Sequence, residues 1–217
     1  MRDELAWPND RKSIFSLPTS GPGSPTWCSL KWLMPFGVDE RYLAEAFKKA
    51  GDYVIEHLKT GQVFGNPDNM FMPIAYLYRH SLELMLKHLV RLGIAARLIE
   101  ESSDINCDLG KHNLYRLWSH ACTAIENRWP NGDKKIISNT KALIDDFQRI
   151  DKSGQNLRYA RDSQDRPTAR KFPDSIELVE FRSAYEGVFN LLSGCSAEFD
   201  FIVEYITEMR NEAKGYQ

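Results

Sequence analysis

The 217-residue chain is 42% hydrophobic and 27% charged, with a formal net charge of −2. That length suits one domain with extensions or two small ones, and the apolar share is enough for a sizeable core. A pI near 6.2 excludes a uniformly basic nucleic-acid coat and leaves room for a local basic patch.

Residues 1–37 form a first region unlike the rest. Ser16-Leu-Pro-Thr-Ser-Gly-Pro-Gly-Ser-Pro25 is dense in helix breakers and turn formers. It reads as an irregular arm whose Trp7, Trp27, Trp32 and Phe36 lie on the surface of the main body. The sharper alternative is an arm that clasps a second subunit or a protein partner.

Asp39 is a good N-cap and opens a helix to about Lys59, with Tyr42, Ala46, Phe47, Ala50, Tyr53, Val54 and Leu58 at apolar spacing. Thr60-Gly61 ends it. The turn-rich Gly65-Asn-Pro-Asp-Asn69 leads to the richest stretch, whose Pro73 suits a first helical turn. At about 100° per residue, Ile74, Leu77, Tyr78, Leu82, Met85, Leu86 and Leu89 share one broad arc. His80, Glu83 and Lys87 fall opposite, with Tyr76 and Arg91 beside them. Arg79 sits at the edge, i,i+4 from Glu83 and able to pair with it. The helix either continues past Gly93 to Ile99 or breaks there.

Residues 102–111 read as a polar connection. A helix over residues 110–125 then places Leu114, Leu117, Trp118, Ala121 and Ile125 on one side, and His112, Arg116 and His120 on the other. Pro130-Asn-Gly132 stops it. Lys134–Ile150 gives another helix, with Ile136, Ile137, Leu143, Ile144, Phe147 and Ile150 at helical spacing. Gln155–Asp174 is a polar loop with room for a short hairpin and an excess of basic side chains. Asp174 or Ser175, with Glu177 in the manner of a capping box, starts a last helix to about Ala213, with a kink expected near Ser193-Gly194. Its predicted buried stripe runs from Val179 through Tyr185, Val188, Phe189, Leu192, Cys195, Phe199 and Ile202 to Tyr205, Ile206 and Met209.

Five or six helices with no convincing strand predict an all-α, antiparallel helical bundle over residues 38–217. No internal repeat suggests a solenoid. Cys28, Cys107, Cys122 and Cys195 are widely spaced without C-x-x-C, so reduced and mostly buried thiols are expected. With no secretory segment and no apolar run of about 18 residues, the expectation is a cytoplasmic protein without a membrane partner.

Three segments together carry a family resemblance: Arg79-His80-x-x-Glu83-Leu-x-Leu-Lys87, His112-x-Leu-x-x-Leu-Trp118, and Leu157-Arg158-Tyr159-x-x-Asp162. They resemble the HEPN-like superfamily, over residues 70–165 by motif and 39–210 by helix order. The resemblance implies a helical bundle that commonly dimerises. Many members are ribonucleases in toxin–antitoxin, abortive-infection or CRISPR systems, and others are non-catalytic binding or scaffold modules. The chain departs from the ribonuclease pattern in one respect. Those members carry Arg, four to six residues, then His; here Arg116 and His120 have three residues between them, and Arg79 and His80 are adjacent.

The chemistry follows from these residues. Imidazole titrates near neutrality, so His80 and His112 are acid–base candidates, with Glu83 as the carboxylate that orients the ring. Arg79, Arg116 and Arg158 are candidate phosphate binders, and Arg161, Arg166, Arg170 and Lys171 extend the basic loop, diluted by Asp162 and Asp165. The ordinary alternative is a set of solvated or salt-bridging helix faces, with Glu83–Lys87 a simple helix pair. His80/His88 and His112/His120 lie i,i+8, about 12 Å apart along a helix, so no metal or cofactor is expected. The function expected is RNA or nucleotide binding, with metal-independent RNA cleavage if catalytic, in antiviral defence or stress response and as a homodimer. The competing expectation is a non-catalytic interaction module.

Overall fold

The computed structural model describes residues 39–61, 67–162, 164–168 and 172–215, with 24, 25 and 28. The chain divides into two units, Met1–Val38 and Asp39–Gln217, and all six described helices belong to the second. The expected arm and its partner surface lie outside the described residues.

The architecture is all-α: α1 (Glu40–Lys59), α2 (Pro67–Ala95), α3 (Ser103–Leu109), α4 (Leu114–Arg128), α5 (Lys134–Ile150) and α6 (Leu178–Gly215). The 29-residue α2 is the hub and packs on α1, α4 and α6. Its Ile74, Leu82, Met85, Leu86 and Leu89 are fully buried in one core with Leu114, Leu117, Ile144, Leu192 and Phe199. Tyr78 joins three helices. Its ring stacks on Tyr185 of α6 at 4.5 Å and leaves no room for a side chain at Gly51, where a Cβ would lie 2.6 Å from Tyr78 Cε1. Its hydroxyl donates to Asp52 of α1 at 2.7 Å. Burial, then the Asp52 carboxylate, pushes that phenol well above its ordinary pKa.

Local chemistry sets most boundaries. Asp39, Asn113 and Asp133 cap α1, α4 and α5 by accepting from Arg41, Arg116 and Lys135 N–H groups. α2 ends in a Schellman arrangement: Leu98 N–H reaches Gly93 O at 2.8 Å and Arg97 N–H reaches Ile94 O at 3.0 Å. Arg97 takes the left-handed position, φ 59°, that glycine usually fills.

Several expectations change. Pro73 lies inside α2, on its exposed side, six residues after the start at Pro67. The segment at 102–111 contains α3, capped by Ser102 and anchored by buried Ile105 and Leu109. His112 precedes α4, so the histidine stripe along that helix is broken. α6 begins at Leu178, where Glu177 accepts from Val179 N–H at 2.8 Å, and runs unbroken through Ser193-Gly194. Tyr42, Tyr53, Val179, Tyr205 and Met209, expected inside, are exposed. Cys28 and Cys107 are exposed too, Cys122 is half-buried and only Cys195 is buried. The 155–174 loop holds one isolated antiparallel bridge, Arg161 to Pro167. No helix among the described residues is long and apolar enough to cross a membrane.

The Arg97 position gives a stability test. Glycine relieves the left-handed strain, so Arg97→Gly should raise unfolding free energy by about 0.5–1 kcal/mol in urea titration. A lower midpoint would contradict the cap assignment.

Candidate functional site

Around Arg79 and Glu83 the polar side of α2 is covered, not solvated. Asp151 ends α5, and its Oδ1 accepts from Asn156 N–H at 2.9 Å, while Asn156 Nδ2 donates to Ile150 O at 3.0 Å. Gly154, at φ 74°, lets this turn lie close against α2: a Cβ there would sit 3.2 Å from His112 Cβ and 3.3 Å from Arg79 Nη1. The turn and the residue before the α4 cap thus form a roof over Arg79 and Glu83, each only 2% exposed.

Under that roof every nitrogen of the Arg79 guanidinium is engaged. Nη1 donates to Glu83 Oε2 at 2.9 Å, Nη2 to the His112 carbonyl at 2.7 Å, and Nε to the Asp151 carbonyl at 3.2 Å. Nε also lies 3.3 Å from Asp151 Oδ2, an ion pair of poor hydrogen-bond geometry. Three of its five N–H donors are spent inside the chain, and at 2% exposure the guanidinium holds Glu83, His112 and Asp151 together. Glu83 is the second hub. Its Oε1 accepts from His112 Nδ1 at 2.8 Å and from Lys87 Nζ at 3.0 Å. Burial pushes the Glu83 carboxyl up, but the hydrogen bonds from Lys87, His112 and Arg79 together outweigh it and hold the pKa below 4.5. Two cations, Arg79 and Lys87, face two anions, Glu83 and Asp151, so the cluster closes without excess charge.

His112 is the part that reaches water. Its side chain is 56% exposed although Nδ1 is held by a buried carboxylate. A carboxylate can only accept, so Nδ1 carries the proton and Nε2 is left as the basic nitrogen. His80 lies on the neighbouring face of α2. It stacks on Tyr76, ring planes 4° apart, and meets the edge of Phe47 at 4.5 Å. Burial lowers its pKa, and the charges of Arg79, Lys87 and His112 lower it further against the pull of Glu83. Arg158 lies over the other part of this row, 5.8 Å from the Tyr76 ring.

The structure thus brings Arg79, Glu83 and His112 into direct contact, with His80 and Arg158 joined to them through Tyr76 and the α2 surface. Arg116 is not brought in; it lies on the exposed side of α4. His120 turns to Asp108 of α3 at 3.0 Å. Sequence reasoning missed Asp151, whose only signal was an acidic residue at a helix end followed by Gly154. It also missed a trio with the order of a hydrolase relay: His88 Nε2 is 2.9 Å from Ser196 Oγ, and Nδ1 is 3.6 Å from Asp39 Oδ1. Ser196 is fully buried, so this trio fastens α1 and α6 to α2 and offers no nucleophile to a substrate. The most apolar cavity, about 620 Å³ between the α4–α5 turn and α6, lies apart from the ion cluster and shares none of its residues. A smaller polar cavity of about 250 Å³ adjoins the roof, lined by Ser153, Gln155, Asn156, Tyr159, Arg161 and Asp162.

Comparison with protein-family models, curated proteins and solved structures found no match to this chain. What is shown is an all-helical protein with six described helices and the geometry above.

Two measurements test the cluster. Arg79→Ala leaves the buried Asp151 carboxylate without its cation and should cost about 3–5 kcal/mol in urea unfolding. The depressed Glu83 pKa adds stability that is full above 4.5 and is lost as pH falls through the folded value. Glu83→Gln should therefore flatten the acid limb of the stability–pH curve; an unchanged slope would contradict the assignment.

Proposed function

We propose that the chain is a HEPN-like cytoplasmic protein that binds RNA and cleaves it without a metal, as a homodimer in prokaryotic defence or stress response. One observation carries this reading: a half-exposed imidazole whose Nδ1 is bonded to a buried carboxylate 2.8 Å away, with a lysine on the same carboxylate oxygen. That pairing fixes the tautomer in which Nε2 can take a proton.

The chemistry assigned to it is transesterification. His112 Nε2 accepts the proton of a ribose 2′-OH as that oxygen attacks the adjacent phosphorus. The P–O5′ bond breaks, giving a 2′,3′-cyclic phosphate and a 5′-oxygen that takes a proton from solvent water and leaves as a hydroxyl, while the His112 imidazolium returns its proton to solvent. Lys87 and Arg158 supply positive charge for the phosphorane. His80, with its pKa lowered, is neutral at neutral pH and serves as a second proton carrier or as a base-stacking surface with Tyr76.

A second reading is a non-catalytic interaction module. It is favoured by the missing Arg-x4–6-His spacing and by the inward turn of Arg79, which spends donors on Glu83 and the His112 carbonyl.

The two readings separate in one assay. Single-stranded RNA incubated with the protein in EDTA should yield ends bearing cyclic phosphate. His112→Ala should slow this by about 10²–10⁴-fold, the usual worth of a positioned acid–base group. Absence of cleavage by the unaltered protein, with RNA retained on it, would leave the interaction module standing.

A further inference from the structure

The turn that roofs Arg79 and Glu83 also walls the polar cavity of about 250 Å³. Ser153, Gln155 and Asn156 come from the turn itself. Tyr159, Arg161 and Asp162 come from the bridged segment that follows. Backbone bonds hold that segment in place. Asp162 N–H donates to Arg166 O at 2.9 Å, and Thr168 N–H to Ala160 O at 3.1 Å. Thr168, 1% exposed, fastens it again: its Oγ1 donates to the Tyr159 carbonyl at 2.8 Å. The wall begins close to the reactive imidazole. Gly154 lies between Ser153 and Gln155, and a Cβ on it would sit 3.2 Å from His112 Cβ.

The polar groups of this cavity are oriented and open. Asn156 is only 8% exposed. Its Nδ2 donates to Ile150 O at 3.0 Å, which fixes the amide with Oδ1 as its open end. That oxygen accepts nothing among the described residues and, unlike Asp151 Oδ2, is not sealed from solvent. Arg161 is pinned at one nitrogen, Nη1, which donates to Asp165 O at 2.7 Å. Its Nε and Nη2 have no partner among the described residues. Asp162 is occupied: Oδ1 accepts from Gln164 N–H at 2.9 Å and Oδ2 from Arg166 Nε at 3.0 Å. Those bonds keep it ionised. One anion beside one cation disfavours a phosphate here and suits a neutral ring with both donors and acceptors.

We propose that the cavity holds the guanine base of the nucleotide whose 2′-OH faces His112. Its volume lies below the roughly 300–1,000 Å³ of pockets for larger ligands, so it has room for one ring system. A guanidinium is the usual partner of guanine O6 and N7. Guanine N1–H and its 2-amino group then donate to Asn156 Oδ1, with the Gln155 amide beside it. Tyr159, 58% exposed, supplies a ring for stacking. Adenine and cytosine reverse this edge. Each sets an amine toward Arg161 and a ring-nitrogen lone pair toward the Asn156 oxygen. Uracil has the matching edge without N7, which makes it the nearest competitor. The choice of a nucleobase rests on the RNA reading above. It adds to that reading the base on the 5′ side of the cut.

The test titrates the ¹⁵N-labelled full chain with the four nucleoside 3′-monophosphates and with inorganic phosphate. Guanosine 3′-monophosphate should shift the amides of residues 153–162. It should bind about tenfold or more tightly than the adenosine and cytidine compounds, as one bidentate contact allows. Arg161→Gln and Tyr159→Ala, both at exposed side chains, should each weaken it about tenfold with unchanged helical circular dichroism. RNA cut in EDTA should end in guanosine 2′,3′-cyclic phosphate. Equal binding of all four nucleotides, or the same shifts from inorganic phosphate, overturns the guanine cavity. Cleavage after every base overturns it as well and leaves the RNA reading standing. Selective guanosine binding without any cleavage upholds the cavity and overturns the nuclease.

Discussion

The buried guanidinium of Arg79 is the interaction on which the site depends. It ties together three parts of the chain that are remote in sequence: α2 through Glu83, the residue before α4 through the His112 carbonyl, and the end of α5 through Asp151. A cation taken out of water is tolerable when each of its nitrogens finds an acceptor and its charge is matched. Both conditions are met here, which is why the roof of residues 151–157 can close over a helix that already has a core on its other side. The cost of any one missing partner is what makes the arrangement single-valued.

From that constraint the reactive feature follows. Arg79 holds the His112 backbone, and Glu83 holds its ring, so the imidazole is fixed at both ends while much of it stays in water. Arg79 faces inward, Lys87 shares the Glu83 oxygen with His112, and Arg158 lies over the Tyr76 ring. Tyr76 and His80 add flat surfaces beside them.

Much of the fold was legible in the residues, because caps and periodicity act locally. Asp39, Pro130-Gly132 and the apolar arc of α2 placed four helices within a few residues. The short α3 escaped because seven residues show too little periodicity, and its anchors Ile105 and Leu109 look ordinary in a polar segment. The start of α4 was set too early because a histidine repeat at i,i+4 looks helical whether or not the chain has begun to turn. The site was legible only in part. The Arg79–Glu83 pair follows from helix spacing, whereas the approach of His112 was implied by the family resemblance. Helix arithmetic also gives the direction of a side chain without saying what covers it, so Glu83 and Arg79 seemed solvated until Asp151 and Gly154 were in place. The exposed half of α6 failed for the same reason: its stripe was read as core, while no described residue lies over it.

The proton on the His112 ring tests the account most directly. Long-range ¹H–¹⁵N correlation of the imidazole at neutral pH reports which nitrogen is bare. The account predicts Nδ1 protonated toward Glu83 and Nε2 unprotonated in the neutral ring. A ring protonated at Nε2, or one averaging between tautomers as a free side chain does, would show that Glu83 does not hold it.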